Sequence, residues 1–209
     1  MLTAALAAAI GAGTAILIAA LGEVIAERAG VMNLGVEGMM LLGALAGFAA
    51  TALSGNLWIG VLGAMVTGGL LALVHAVLTV SFAADQIVSG LALTLFATGL
   101  ASFLGKPFVG QPAPTSFHDV PIPALSALPV LGPAVFDQRV PTYLSYLLVI
   151  GVWLLLHRTK FGLLLRAVGE NPATVDAMGH SVTLLRYSAV VLGGLLAGLG
   201  GAVISLGTN

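Results

Sequence analysis

The sequence predicts an all-α fold: a polytopic transmembrane helical bundle of about six membrane segments, with one short helix in the polar connection before the last of them. Three observations carry this. Hydrophobic residues make up 59% of the chain and charged residues only 7%, whereas a soluble domain carries about a quarter charged. Mean hydropathy is +1.11. The apolar residues are also gathered into runs of about 20, the length that crosses a bilayer as helix.

Leu2 to Leu21 supplies the first run and holds no charge. Its start lacks a basic flank and a clear cleavage site, so it reads as a retained membrane segment. The stretch GEVIAERAGVMNLG follows, with Glu23, Glu27 and Arg28. It is either a loop or a break within one membrane helix. Gly38 to Ala84 again has no Asp, Glu, Lys or Arg, and Ser54-Gly55-Asn56 divides it with a turn signal. Segments two and three are therefore about Leu34–Leu53 and Leu57–Ser81. Asp85 is a candidate N-cap for segment four, which runs to about Leu104.

Residues 106–141 hold eight of the nine prolines. That density forbids continuous helix, so an ordered loop is expected, with room for a short dipping helix. Segment five is about Thr142–Leu156 and segment six about Leu184–Leu206. Between them lies HRTKFGLLLRAVGENPATVDAMGHSV, residues 157–182. Asn171 suits an N-cap, Pro172 the first helical position and Gly179 a left-handed stop. A helix of about two turns is unstable alone and needs a surface to pack on. A soluble partner on the cytoplasmic side is expected to supply it.

Orientation follows the cations. Arg158, Lys160, Arg166 and Arg186 bracket this connection and put residues 157–183 inside. Counting crossings backwards puts 106–141 outside and Arg28 inside, so five of the seven cations are cytoplasmic. Lys106 and Arg139 flank the outer loop.

Glu37 lies near the start of segment two in the run Asn33-Leu34-Gly35-Val36-Glu37-Gly38. An ionisable group in a membrane segment usually faces a bundle interior or aqueous cavity, and Asn and Gly permit unwound backbone. An interfacial acid that reaches water is the other reading. Gln86, Ser89 and Thr94 form a polar stripe on segment four, suited either to a translocation path or to hydroxyls bonded to their own helix. With Asn33 and Glu37 they are the substrate-path candidates. His75 is a lone histidine, better suited to a satisfied buried imidazole than to a metal site. Small residues recur at four-residue spacing, as in Gly43/Gly47 and Gly194/Gly198, and allow close helix approach.

Other classes find no support. Net charge is −1, so there is no basic patch for nucleic acid. With no cysteine, disulfides and thiolate sites are absent. Leu100–Pro107, LASFLGKP, lacks the first glycine of a phosphate loop and has proline where Ser or Thr is needed. No catalytic residue, metal site or cofactor is expected. If ATP drives this protein, another chain hydrolyses it.

The stretches GEVIAERAGVMNLGVEGMMLLGA, ADQIVSGLALTLFATGLASFLGKPF and FGLLLRAVGENPATVDAMGHSV, with GGLLAGLGGAVISLG, resemble the permease subunits of bacterial ABC importers for nucleosides and simple sugars. The likeness is to the shorter permease of importers that use a basic-membrane-lipoprotein type binding protein. It covers nearly the whole chain and is most specific around Arg166–Pro172. The resemblance implies that the two-turn helix is a coupling helix docking on an ATP-binding subunit. Arg166, Gly169, Glu170, Asn171, Pro172, Ala177 and Gly179 match that motif. It further implies a second permease subunit, an extracytoplasmic substrate-binding lipoprotein facing the outer loop, surrounding membrane lipid and a place in the bacterial inner membrane. Family members continue beyond the position of Leu206, so the sequence is expected to be incomplete at its C-terminus. A membrane scaffold whose polar loop merely docks a partner is the alternative. A secondary transporter would want more intramembrane charge and an inverted repeat.

Overall fold

The computed structural model describes residues 2–112, 115–122, 132 and 135–207. Its helices are α1 (Leu2–Arg28), α2 (Val36–Ser54), α3 (Leu57–Ala76), α4 (Gln86–Leu104), α5 (Val140–Arg158), α6 (Lys160–Glu170), α7 (Pro172–Ala177) and α8 (Val182–Gly207). Six of these are long and apolar enough to cross a membrane. α1 and α2 are separate helices of 27 and 19 residues, each sufficient for its own crossing. The stretch after Leu21 is therefore a loop only from residue 29, because α1 continues to Arg28.

Apart from the proline-rich stretch between α4 and α5, the connections are short. Asn56 caps α3 by accepting from the Trp58 amide, and Gly55 ends α2 at φ 67°. α3 closes in a π-helical turn, Val77–Ser81, and Ala83 takes φ 51°, an uncommon backbone for a residue with a Cβ. Asp85 caps α4 through the Val88 amide.

The proline-rich segment is ordered where it is described. Lys106–Phe108 forms one 3₁₀ turn. The strands β1 (Asp119–Pro121) and β2 (Asp137–Arg139) pair antiparallel, so the loop holds a small ribbon that composition did not suggest. Tyr143 fastens it: its hydroxyl donates to the Val120 carbonyl at 2.9 Å and accepts from the Gln138 amide at 3.1 Å. The rest of the 106–141 loop, where the sequence leaves room for a dipping helix, lies outside the described residues at 113–114, 123–131 and 133–134.

α8 is the axis of the bundle. In its most apolar stretch 67% of residues are buried, against 22–33% in the other five spans. The run GGLLAGLGG explains how three helices reach it at once. A Cβ on Gly193 would lie 2.8 Å from the Gly22 carbonyl oxygen of α1, one on Gly200 2.7 Å from that of Ala15, and one on Gly194 2.6 Å from that of Gly68 in α3. Gly201 presses on Met40 of α2 in the same way. In lipid the hydrophobic effect does not drive helices together, so backbone contact of this kind supplies dispersion energy that larger side chains would forfeit. α4 is the contrast: it packs mainly on α2, where Gly38 meets Thr94 and Ala97.

Candidate functional site

The expected coupling loop, 157–183, is three pieces of structure. Thr159 ends α5 and caps α6 by accepting from the Gly162 amide at 3.0 Å. α6 is amphipathic: Gly162, Leu165 and Val168 are buried, while Leu163 and Glu170 face out. Its signals, Thr159 and apolar residues at 161, 164, 165 and 168, stand in the sequence at helical spacing. They are easily read as part of one polar interruption.

α7 has the predicted ends. The Asn171 side chain accepts from the Thr174 amide at 3.1 Å, Pro172 opens the helix, and Gly179 turns the chain at φ 82°. There the Gly179 amide donates to Asp176 and that of His180 to Val175, closing the helix C-terminus. One side chain anchors the helix. Val175 is fully buried in a cluster with Ile25, Leu156, Leu165, Val168 and Leu185. Ala173, Thr174, Asp176, Ala177 and Met178 are exposed. α7 is thus a short rod riding on one apolar pin, with its other faces free.

The remaining predicted coupling residues divide. Glu170 is exposed. Gly169 works inward: any Cβ there would collide with the Arg28 carbonyl, so α6 rests on the end of α1. Arg186 of α8 reinforces that seat, its Nε donating to the Ala29 carbonyl at 3.3 Å. Arg166 is partly buried, and its Nε has no hydrogen-bond partner among the described residues.

The structure brings four of the five substrate-path candidates to one place, the α1–α2 turn at residues 29–35. Asn33 is buried, its Oδ1 accepting from the Gly35 amide at 3.0 Å. Gln86 accepts from the Met32 amide at 2.7 Å and donates to the Gly30 carbonyl at 3.4 Å. Thr94 donates to the Leu34 carbonyl at 3.2 Å. Ser89 bonds His75 at 3.1 Å.

Two further residues complete this junction. Glu23 accepts from the Asn33 amide at 2.7 Å. His75 is fully buried, its Nε2 lying 3.1 Å from the Met32 carbonyl. A carbonyl can only accept, so Nε2 carries the proton and, in the neutral ring, Nδ1 accepts from the Ser89 hydroxyl. Side chains from α1, α3 and α4 therefore satisfy the backbone of one tight turn. Glu37 stands apart, exposed in the first turn of α2, where a carboxylate complements the helix N-terminus.

The junction, α6 and α7 all lie at the end of the bundle that carries Arg28, Arg158, Lys160, Arg166 and Arg186. Lys106 and Arg139 lie at the opposite end, where a cavity of about 430 Å³ is bordered by Thr14, Asp119, Asp137, Gln138, Arg139 and Thr142. Arg139 pairs with Asp119 there at 3.4 Å.

Comparison with known proteins agrees with this architecture. The chain is 46% identical over 203 residues to the putative glucose ABC transporter permease protein TsgC13 of Haloferax volcanii, covering 95% of this chain and 61% of that protein. It is 39% identical over 199 residues to the guanosine ABC transporter permease protein NupQ of Bacillus subtilis, covering 90% of this chain and 62% of the relative. It is 36% identical over 200 residues to the nucleoside ABC transporter permease protein NupC of Lactococcus lactis, covering 91% and 63%. The chain therefore spans about three-fifths of the length of these relatives. No solved structure matches it. The family described as branched-chain amino acid transport system / permease component matches residues 5–209. With six apolar spans and a match over nearly its whole length, the chain is a multi-pass membrane protein that belongs to this permease family.

Proposed function

We propose that this chain is a membrane-spanning permease subunit of an ATP-driven importer in the bacterial cytoplasmic membrane. It would form part of the path for a nucleoside or simple sugar and couple to a separate ATPase through residues 169–179. The observation that carries this is α7: a capped two-turn helix pinned by Val175 and, apart from half-buried Pro172, exposed at the end richest in cations. By the distribution of Lys and Arg that end is cytoplasmic. The relatives' substrates, glucose, guanosine and nucleosides, support the substrate class.

The mechanism follows from how α7 is held. A partner that moves α7 moves Val175, and with it the cluster shared by α1, α5, α6 and α8. Gly169 and Arg186 transmit the same displacement to the end of α1. From there the 29–35 turn passes it to α4 through its bonds to Gln86 and Thr94, and through His75 to Ser89. Coupling requires only that the partner hold α7 differently in its two nucleotide states. ATP hydrolysis belongs to the partner. A second permease subunit and an extracytoplasmic binding lipoprotein complete the assembly.

Photocrosslinking from Thr174 and Ala177 in intact membranes tests this. An adduct with an ATP-binding subunit is expected at both positions. Adducts with lipid alone, at normal abundance of the protein, would overturn the proposal.

A further inference from the structure

We infer that the last turn of α5 is a binding site for one anionic phospholipid, its phosphate held by Arg158 and Lys160 beside a platform of Trp153 and His157. Nothing in this site depends on the role of α7. The His157 ring stacks on the Trp153 indole, with centroids 5.5 Å apart and planes 24° from parallel. It is fixed there by its Nδ1, which donates to the Trp153 carbonyl at 3.0 Å. The Arg158 guanidinium lies 5.7 Å from the centre of the same indole, within cation–π range. Lys160 follows across the single residue Thr159, so its Cα is within about 7 Å of that of Arg158. All four side chains are exposed. Among the described residues the one ion pair is Arg139–Asp119 at the opposite end, so neither Arg158 nor Lys160 is paired among them. Residues 138–169 contain no acid at all.

An exposed indole with cations at the end of a membrane span sits at headgroup level. The helix below it supplies the rest of a lipid site. Leu147, Ile150 and Leu154 are 66%, 56% and 44% exposed and follow at three- and four-residue spacing, with Arg158 one turn beyond Leu154. From Leu147 to Arg158 is about 16 Å of helix at 1.5 Å per residue, close to half of the roughly 30 Å hydrocarbon core. An acyl chain of the cytoplasmic leaflet lying on that stripe brings its phosphate to Arg158 and Lys160. Basic pockets on the cytoplasmic side take anionic headgroups in this way. A soluble anion would leave the apolar stripe unmatched. A second copy of this chain would set the same cations against each other.

The chain has two tryptophans, and Trp58→Phe keeps a ring beside Phe117 while leaving Trp153 as sole reporter inside the site. The full chain in that form is reconstituted in vesicles of phosphatidylcholine and phosphatidylglycerol, with one lipid or the other brominated along its acyl chains. Bromine quenches an indole only near contact, so the two quenching curves give the relative affinity of the two headgroups at Trp153. A basic side chain near an anionic surface is worth about fivefold in affinity. Phosphatidylglycerol should therefore be preferred by about 25-fold, falling to about fivefold after Arg158→Gln or Lys160→Gln. Arg28→Gln, which removes an exposed cation of the same end, should leave the preference within about twofold. Melting temperature establishes folding, and the preference of the form carrying Trp58→Phe alone tests the site even where a variant fails to fold. Equal quenching by the two lipids overturns the inference. So does an equal fall in all three variants, since the charge of the whole end would then be responsible. Quenching by neither lipid also overturns it, because protein would then cover the stripe.

Discussion

Replacing His75 with Leu should cost more than its size suggests. The imidazole is fully buried and joins three elements: its Nε2 reaches the Met32 carbonyl of the α1–α2 turn, and its Nδ1 reaches Ser89 of α4, each at 3.1 Å. Leucine preserves apolar volume but leaves a carbonyl and a hydroxyl without that partner. An unsatisfied buried group costs about 1–3 kcal/mol, while hydrogen bonds between membrane helices average about 0.6 kcal/mol. Taking about 1 kcal/mol for each of the two lost bonds, about 2 kcal/mol is expected for the pair. For a domain of this size that lowers the melting temperature by roughly 4–8 °C. Ser89→Ala removes only one of the two bonds and should cost about 1 kcal/mol. The double variant should fall short of the sum, because the Ser89 bond is already absent in His75→Leu. Thermal unfolding in one detergent, with protein fluorescence as signal, provides the four corners of the cycle. Additive losses, or a His75→Leu protein that melts within a degree of wild type, would refute the assigned bonds.

Other variants probe neighbouring links. Val175→Ala removes buried methyl groups worth about 2 kcal/mol with the cavity they leave, and should free α7 locally. Hydrogen exchange should rise at residues 172–178 and stay unchanged in α8. Asn171→Ala loses the cap on the Thr174 amide, at about 1 kcal/mol, whereas Asn171→Asp keeps an acceptor there; exchange over the same helix should separate the two. Gly179→Val places a β-branched residue at φ 82°, costing about 1–2 kcal/mol, and uptake driven by the assembled complex should drop at normal abundance. Gly198→Val sets a side chain against the Ala64 carbonyl and should lower the melting temperature by several degrees, since overpacking costs about 1–3 kcal/mol.

Much of the fold was legible because membrane segments announce themselves by length. Leu57–Ser81 and the caps at Asp85, Asn171 and Gly179 stand where the residue types put them. The end of α1 did not. Glu23, Glu27 and Arg28 look like a loop in one dimension, but Glu23 finds the Asn33 amide and the helix runs through. That bond depends on a turn ten residues away and leaves no local signal. α6 had one, in Thr159 and the apolar spacing after it, but a neighbouring run of cations masked it. The β1–β2 ribbon rests on Tyr143, which belongs to a membrane helix.

The candidate residues taught a similar lesson. Gln86, Ser89 and Thr94 were legible as a polar stripe, but their common target was not, because the sequence cannot show that the α1–α2 turn folds back onto α4. His75 was legible as a satisfied imidazole, but not as the hub of that junction.

The most direct test of the account is the distance between α7 and the membrane-spanning helices during turnover. Spin labels at Thr174 and at an exposed site on α3, such as Leu62, can be followed by pulsed electron resonance in the reconstituted complex. A shift in their separation between nucleotide-free and ATP-trapped states is predicted, abolished by Gly179→Val. A separation that stays fixed while the complex transports would contradict the claim that α7 carries the motion inward.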